Sequence, residues 1–119
     1  MLKNELILIK PTRHKDERGF FSETYSQRRY KEFGIDLDFL QDNYSFSWKS
    51  GTLRGLHFQA PPYAQGKLVH CSKGAIFDVA VDIRKGSSTF GHWVGYKLTE
   101  KNGHQLYVPI GFAHGFLTL

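Results

Sequence analysis

The sequence contains a single cysteine, Cys71, among 119 residues. One cysteine can form neither a disulfide within the chain nor a cysteine-based zinc site, so we predict a reducing, cytoplasmic location. No apolar run approaches the roughly 20 residues of a membrane-spanning helix. The N-terminal segment has Glu5 inside its short apolar stretch and no small-residue cleavage site after it, unlike a secretory signal. We therefore expect no membrane partner.

Acidic residues are the minority charge: 16 Lys and Arg stand against 11 Asp and Glu, for a net charge of +5. This balance favours an anionic partner. The basic residues are scattered, with no run longer than Arg28 and Arg29, and no nucleic-acid-binding motif has its required spacing. We therefore expect no nucleic acid partner.

The composition is that of a chain with a core, since 40% of the residues are hydrophobic and 15% aromatic. Low-complexity disorder is excluded, and the length suits one domain over residues 1–119. Residues 115–119 are mostly apolar and no polar tail follows. Because termini usually lie loose at a surface, we expect the chain to be the N-terminal part of a longer protein.

Short alternating segments between turn residues predict an all-β sandwich or barrel. One short helix is expected over residues 26–33, with Ser26 as its N-cap and Gly34 at its end. Strands are predicted at residues 6–9, 20–25, 42–47, 52–59, 67–72, 76–83, 93–99, 105–108 and 114–119.

The clearest alternation lies in residues 75–83, where successive side chains point to opposite faces. Phe77 and Val79 share the apolar face with residues 81 and 83, and we expect this face to be core. Asp78 and Asp82 share the other face, which would meet water or a polar cavity. We expect these carboxylates to anchor Arg84 or a loop rather than to form a catalytic pair.

Two segments carry the strongest chemical pattern. They read Gly51-x5-His57-x-Gln59 with Lys67-x6-Gly74, and Gly103-x5-Pro109-x-Gly111-x2-His114. These spacings resemble the two motifs of the cupin superfamily, a double-sheet jelly-roll barrel that holds a metal on three His and one Glu. His57 and His114 match two ligand positions, whereas Gln59 and Lys67 occupy the other two. A protonated lysine has no lone pair for a metal, so we predict no metal and leave His57 available for proton transfer.

Within the cupins, a series of segments in the same order over nearly the whole chain resembles the dTDP-4-dehydrorhamnose 3,5-epimerase family, the RmlC type. The segments are DERGFFSE at 16–23, QDN at 41–43, LRGLHFQ at 53–59, PPYAQGKLV at 61–69, DVAVDIR at 78–84, TFG at 89–91 and PIGFAHGF at 109–116. The resemblance implies a cupin-type jelly-roll barrel with a short N-terminal helix. It also implies a homodimer with exchanged N-terminal strands, which would cover the apolar residues 6–9, for which we expect little partner within the chain.

The same resemblance implies the activity: epimerisation at C3 and C5 of a dTDP-4-keto-6-deoxyglucose, in dTDP-L-rhamnose biosynthesis, without a cofactor. Both carbons flank the C4 carbonyl, so a base, an acid and a donor to the enolate oxygen suffice. The family's counterpart of His57 is the base, and that of Lys67 stabilises the C4 oxyanion. The residues matching its nucleotide-sugar contacts are Arg18, Glu23, Gln41, Asn43, Arg54, Lys67 and His114. The family's Tyr acid and the Asp that orients its base have no match within residues 1–119.

Three other functions remain open from the sequence. A related cupin could epimerise a single carbon or shift the keto group while retaining the base. A non-catalytic sugar-nucleotide binding module is favoured by the unmatched acid, whereas the pairing of His57 with Lys67 favours an enzyme. A metal-dependent dioxygenase is disfavoured by Gln59 and Lys67.

The strand around His57 contains a conflict of geometry. Arg54 and His57 are three positions apart, so a regular strand would point them to opposite faces. The resemblance places both in one pocket. Gly55 lies between them and tolerates unusual backbone angles, so we predict a β-bulge at residues 54–55 that turns Arg54 toward the cavity of His57.

Overall fold

The computed structural model describes residues 5–60 and 64–119. In these residues the chain forms the following elements, in order: β1 (Ile7–Ile9), β2 (His14–Asp16), β3 (Gly19–Phe21), α1 (Gln27–Glu32), β4 (Leu53–His57), β5 (Lys67–His70), β6 (Ala75–Asp82), β7 (Trp93–Thr99), β8 (Gln105–Val108) and β9 (Phe112–Thr118). The all-β prediction is confirmed, with a single six-residue helix in the described ranges. No helix in these ranges is long and apolar enough to cross a membrane.

The strands form two main antiparallel sheets. One has the order β1–β8–β5 and the other the order β4–β9–β6–β7, while β2 and β3 form a separate hairpin. The two sheets bury a core that contains Leu106 and Val108 of β8, Ala80 of β6 and Leu98 of β7. The pleat of β8 points Tyr107 the other way, where it packs with Tyr30 of α1 and with other apolar residues. Both faces of β8 are therefore covered.

The short helix is one residue shorter at each end than the predicted range 26–33, because Ser26 and Phe33 are its cap residues. The Ser26 hydroxyl accepts a hydrogen bond from the backbone N–H of Arg29, at 3.4 Å, and Ser26 itself is extended, as an N-cap residue should be. Gly34 follows the helix with φ of +102°, a backbone angle that favours glycine. The predicted cap and stop are confirmed.

The prediction that residues 6–9 have little partner within the chain is wrong. β1 pairs with β8 along its full length, with Ile7 opposite Tyr107 and Ile9 opposite Gln105. The physical reason is that β8 has two edges, and β5 occupies only one of them. Residues on opposite faces of β1 then reach two different apolar clusters: Leu8 packs in the core between the sheets and Ile9 packs near α1.

The predicted strand at residues 42–47 is also wrong, since this segment has no regular secondary structure. Its polar groups are used locally instead. The Arg54 guanidinium donates to the Phe46 carbonyl at 3.3 Å and to the Ser47 hydroxyl at 3.2 Å. The strand predicted over 20–25 ends at Phe21, and its partner β2 was not predicted.

The expected core face of β6 is not its most buried face. Asp78, Ala80 and Asp82 are 0 to 2% exposed, whereas Phe77 and Val79 on the opposite face are only partly buried. Neither environment expected for the carboxylates, water or a polar cavity, is found, since both carboxylates are buried and neither lines the cavity described below. Each carboxylate is tolerated in the interior because it has a polar or cationic partner, as described below.

Candidate active site

A cavity of about 890 Å³ opens between the two main sheets. Both sheets and the loops beside them contribute to its wall. The lining residues are Gln41, Asn43, His57, Phe58, Gln59, Ala60, Ala64, Gln65, Lys67, Ile83, Arg84, Val108, Ile110, Gly111, Phe112 and His114.

The two histidines and the lysine reach this cavity from different strands. His57 ends β4 and is the cross-strand partner of His114 on β9, so the two imidazoles lie on the same face of the four-stranded sheet. Lys67 begins β5 in the other sheet, opposite Val108. Gln59, two positions after His57, also lines the cavity. All four residues at cupin ligand positions are thus brought to one cavity, which holds an ammonium and an amide beside two imidazoles. In the described residues no group of three His, Cys, Asp or Glu side chains converges as a metal site.

Four side-chain amides also line the cavity, and two of them, Gln41 and Asn43, are bonded to each other. The Gln41 side-chain amide donates to the Asn43 side-chain carbonyl at 3.0 Å. This contact orients both groups and leaves the Gln41 carbonyl and the Asn43 amide N–H groups for a ligand. Gln41 and Asn43 lie in the irregular segment before β4. The directions of their side chains therefore could not be deduced from the alternation of a strand.

The charge of the cavity wall has one sign. Four lining residues are basic types, namely His57, Lys67, Arg84 and His114, and no lining residue is Asp or Glu. The permanent charges among them are those of Lys67 and Arg84, and Phe58 and Phe112 supply flat apolar surface in the same wall. A wall of this kind favours an anionic ligand that also has an apolar or ring-shaped part.

The predicted β-bulge is present. The register of β4 against β9 shifts between Arg54, which pairs with Phe116, and His57, which pairs with His114. Because His114 and Phe116 are two positions apart, Arg54 and His57 share one face of the sheet. Gly55 has φ of +117°, and a Cβ atom there would lie 2.6 Å from the Gly115 Cα, so only glycine fits.

Arg54 itself does not line the cavity. Its guanidinium is held by the Phe46 carbonyl and the Ser47 hydroxyl, close to the segment that carries Gln41 and Asn43. The bulge thus places Arg54 on the same face of the sheet as His57, as predicted. Its guanidinium, however, contacts the loop at residues 46–47 and not the cavity.

The structure does not bring Arg18 and Glu23 to this cavity. Arg18 lies in the turn of the β2–β3 hairpin and pairs with Asp16 at 2.8 Å, and its side chain is 84% exposed. This contact lowers the pKa of the Asp16 carboxyl. Glu23 follows β3 and pairs with Arg29 of α1 at 3.4 Å. Five residues of the predicted site therefore line one cavity (Gln41, Asn43, His57, Lys67 and His114), and three lie elsewhere.

Arg84 lines the cavity, although the sequence predicted for it only that a carboxylate would anchor it. Asp82 fixes it: the carboxylate accepts from the Arg84 backbone N–H, from Nε at 3.1 Å and from Nη2 at 3.0 Å. The guanidinium lies over the ring of Phe112, with Cζ 4.8 Å from the ring centre. The expected anchoring role of Asp82 is confirmed. The spacing of Asp82 and Arg84 on alternate positions was the available signal, since such residues share a face.

We expect replacement of Asp82 by asparagine to destabilise the fold and to change its response to acid. Hydrogen bonds from Arg84, Ser87 and Thr89 hold the pKa of the buried Asp82 carboxyl well below its ordinary value near 3.8. The unfolded chain therefore takes up the proton first, so this stabilisation is complete above about pH 5 and is lost as the pH falls below 4. At neutral pH, Asp82→Asn should lower the free energy of unfolding by roughly 2–4 kcal/mol. This is somewhat less than for a fully buried ion pair, because Asp82 is buried but Arg84 is partly exposed.

Urea unfolding of the wild type and of Asp82→Asn at several pH values between 3 and 7 measures this effect. The difference between the two proteins should shrink toward pH 3. Asp16→Asn, which removes an exposed carboxylate, is the control and should change stability little. A constant difference across the pH range would show that Asp82 contributes by packing alone.

Two antiparallel sheets around a basic cavity, with histidines at two of the four cupin ligand positions, define a cupin-type jelly-roll protein with a site for an anionic ligand. The comparison with known proteins specifies the family. The family model of dTDP-4-dehydrorhamnose 3,5-epimerase matches residues 3–119, and the chain belongs to this family.

Individual relatives agree in sequence and in structure. The chain is 54% identical over 115 residues to the dTDP-4-dehydrorhamnose 3,5-epimerase of Sinorhizobium fredii, which covers 97% of this chain and 59% of the relative. The crystal structure of the Bacillus anthracis enzyme, with TDP and pyrophosphate bound, superposes with a TM-score of 0.95 at 50% identity, over 97% of this chain and 66% of that one. The Legionella pneumophila enzyme RmlC, in complex with dTDP-4-keto-L-rhamnose, gives a TM-score of 0.90 at 53% identity, over 96% and 60% of the two chains.

These comparisons confirm the predicted family and the cupin-type fold. The chain spans about three-fifths to two-thirds of the length of these relatives.

Proposed function

We propose that the protein is a dTDP-4-dehydrorhamnose 3,5-epimerase, which inverts C3 and C5 of a dTDP-4-keto-6-deoxyglucose on the route to dTDP-L-rhamnose. The observation that carries this proposal is the convergence of His57 and Lys67, from two different sheets, on one cavity. Membership of the epimerase family supports the same reaction.

The chemistry follows from the acidity of the two C–H bonds next to the C4 carbonyl. Removal of either proton leaves an enolate, with negative charge on the C4 oxygen. His57 is the group that takes the proton, and the Lys67 ammonium stabilises the charge that develops on that oxygen. Return of a proton to the opposite face of the carbon completes the inversion.

The rest of the wall suits the nucleotide part of the substrate. A dTDP group has a pyrophosphate and a flat base. The basic residues of the cavity attract the phosphates, and the amides of Gln41 and Asn43 can bind polar edges. The ligands named in the two structures of the relatives, TDP with pyrophosphate and a dTDP-linked keto sugar, have the same chemical parts.

The experiment is incubation of the protein with dTDP-4-keto-6-deoxyglucose in D₂O, with the product followed by NMR. Deuterium at both C3 and C5 is expected. Deuterium at one carbon only would replace the proposal by a single-carbon epimerase. Binding of the nucleotide sugar without any deuterium incorporation would favour the non-catalytic binding module.

We also propose that the protein is a homodimer with exchanged N-terminal strands, and that the exchanged element is the β2–β3 hairpin rather than β1. The hairpin pairs with no other strand of the described chain, and a lone two-stranded ribbon is marginal in water. Phe20 and Phe21 on it are 53% and 74% exposed. Docking on a partner would cover these rings, and would carry Arg18 and Glu23 away from their own chain toward a second one.

Sedimentation of the protein at micromolar concentration tests this arrangement. A dimer is expected, and Phe21→Asp should shift it toward monomer, because the charge would be buried on association. A monomer in the wild type, or a dimer that Phe21→Asp leaves unchanged, would contradict the hairpin exchange.

The cytoplasm is the location that we propose, since the substrate is a nucleotide sugar and the one cysteine, Cys71, is a free thiol. Fractionation of cells that express the protein checks this. Recovery of the protein in an extracytoplasmic fraction would contradict it.

A further inference from the structure

The buried residue Asp78 lies behind the cavity wall and has no role in the reaction described so far. It is 0% exposed and sits on the interior face of β6, between the two main sheets. Its Oδ1 atom is 2.7 Å from Nε2 of His114, while its Oδ2 atom has no hydrogen-bond partner within the described ranges. Burying a carboxylate with one of its oxygens unpartnered is costly, and apolar side chains would fill the same space more cheaply.

The position of Asp78 in the sheet makes its contact with His114 specific. β6 pairs with β9 so that Ala80 lies opposite His114 and Asp78 lies opposite Phe116. Asp78 and His114 are therefore diagonal neighbours on one face, within reach of side chains of their length. His114 is in turn the cross-strand partner of His57. A row of three polar residues, Asp78, His114 and His57, thus leads from the interior to the cavity.

The contact determines which nitrogen of His114 carries the proton toward the interior. A carboxylate accepts hydrogen bonds, so the short contact assigns an N–H to Nε2, which donates to Asp78. Nδ1 is then the ring nitrogen that remains for a ligand in the cavity. The side chain of His114 is only 9% exposed, and the hydrogen bond to Asp78 also fixes the rotation of the ring about the Cβ–Cγ bond.

We infer that Asp78 is a positioning residue, which sets the tautomer and ring orientation of His114 so that Nδ1 can contact the hexose of a bound dTDP-sugar. The inference rests on the proposed function for the identity of the ligand. The tautomer of His114 does not depend on the proposed function, because it is a property of the protein without ligand.

The first test is a double-mutant cycle on the affinity for dTDP-glucose, a stable dTDP-hexose, measured by calorimetry on the whole 119-residue chain. Asp78→Asn keeps the shape of the side chain and removes its charge, and His114→Phe keeps a ring and removes both nitrogens. Asp78→Asn should weaken binding roughly tenfold in the wild-type background, because an amide can present its NH₂ group to Nε2 as well as its oxygen and so no longer fixes the tautomer; tenfold is the low end for weakening a hydrogen bond to a charged group. In the His114→Phe background it should weaken binding less than about twofold, because the residue through which Asp78 acts is gone.

His70→Phe provides the matched control background, since His70 is exposed and does not line the cavity. There, the tenfold effect of Asp78→Asn should persist. Equal losses from Asp78→Asn in the His114→Phe and His70→Phe backgrounds would overturn the inference and leave Asp78 a purely structural residue.

The second test requires neither a variant nor a ligand. Long-range ¹H–¹⁵N NMR of the histidine rings should show a proton on Nε2 of His114 in the ligand-free wild type. A bare Nε2 would mean that His114 accepts from Asp78, and would overturn the inference. If the wild type fails to bind dTDP-glucose, the proposed function is contradicted, and the NMR result still decides the role of Asp78.

Discussion

His57→Asn is expected to reduce solvent deuterium exchange at C3 and C5 of the 4-keto sugar by a factor on the order of 10²–10⁴, the usual contribution of a general base. The reason is that the imidazole of His57 can take a proton in the cavity that Lys67 lines from the other sheet. The imidazole of His114, by contrast, is held by Asp78. Asparagine keeps polar atoms near the place of the ring but cannot accept the proton. The affinity for dTDP should remain within a few-fold, because the phosphates are attracted by several basic residues.

The measurement is NMR of deuterium incorporation, together with calorimetric titration of dTDP. His70→Asn is the matched control: it removes an exposed imidazole from the strand that carries Lys67, and should leave both quantities unchanged. Retention of exchange in His57→Asn would place the base elsewhere. Loss of exchange together with loss of dTDP binding would indicate that His57 binds substrate rather than removing its proton.

Gly55→Ala should cost the fold roughly 2–6 kcal/mol, enough to unfold a marginally stable domain. Two effects add. An alanine at φ of +117° is strained, and its Cβ would lie 2.6 Å from the Gly115 Cα and 2.8 Å from the His114 carbonyl oxygen. Both contacts are with the backbone of β9, which cannot move without disturbing its pairing with β4 and β6.

Gly51→Ala separates the two effects. Gly51 also has a positive φ, of +80°, but a Cβ there would meet no atom within 4 Å. It should therefore show only the conformational cost, about 1–2 kcal/mol. Thermal or urea unfolding of both variants makes the comparison, and similar losses at the two positions would show that the close approach of β4 to β9 contributes nothing.

The fold could be predicted where local patterns decide the structure. Ser26 and Gly34 mark the ends of α1 by their own chemistry, and β7 and β8 have the predicted boundaries because alternation in them is regular. Residues 42–47 read as a strand but form none, and the Phe46 carbonyl and the Ser47 hydroxyl accept hydrogen bonds from the side chain of Arg54 instead. The alternation of this segment does not reveal that use of its polar groups.

In the candidate site, too, some features could be predicted from the sequence and others could not. The bulge at Gly55 could be deduced, because two residues claimed for one pocket stood three positions apart. The burial of Asp78 could not, since its alternation is the same for a solvated carboxylate and for one bonded to a histidine of another strand. Arg18 and Glu23 lie away from the cavity of their own chain, and a single sequence does not describe the assembly through which we propose that they reach a second chain.

A crystal structure of the protein with a dTDP-linked hexose bound tests the central claim most directly, because that claim is a statement about where the sugar lies. We expect the hexose in the cavity between the two sheets, with its C4 oxygen within about 3 Å of the Lys67 Nζ. The His57 ring should lie about 3–3.5 Å from C3 or C5. A hexose bound outside the cavity, or inside it with the C4 oxygen turned away from Lys67 and neither carbon facing His57, would contradict the assignment of this cavity as an epimerase active site.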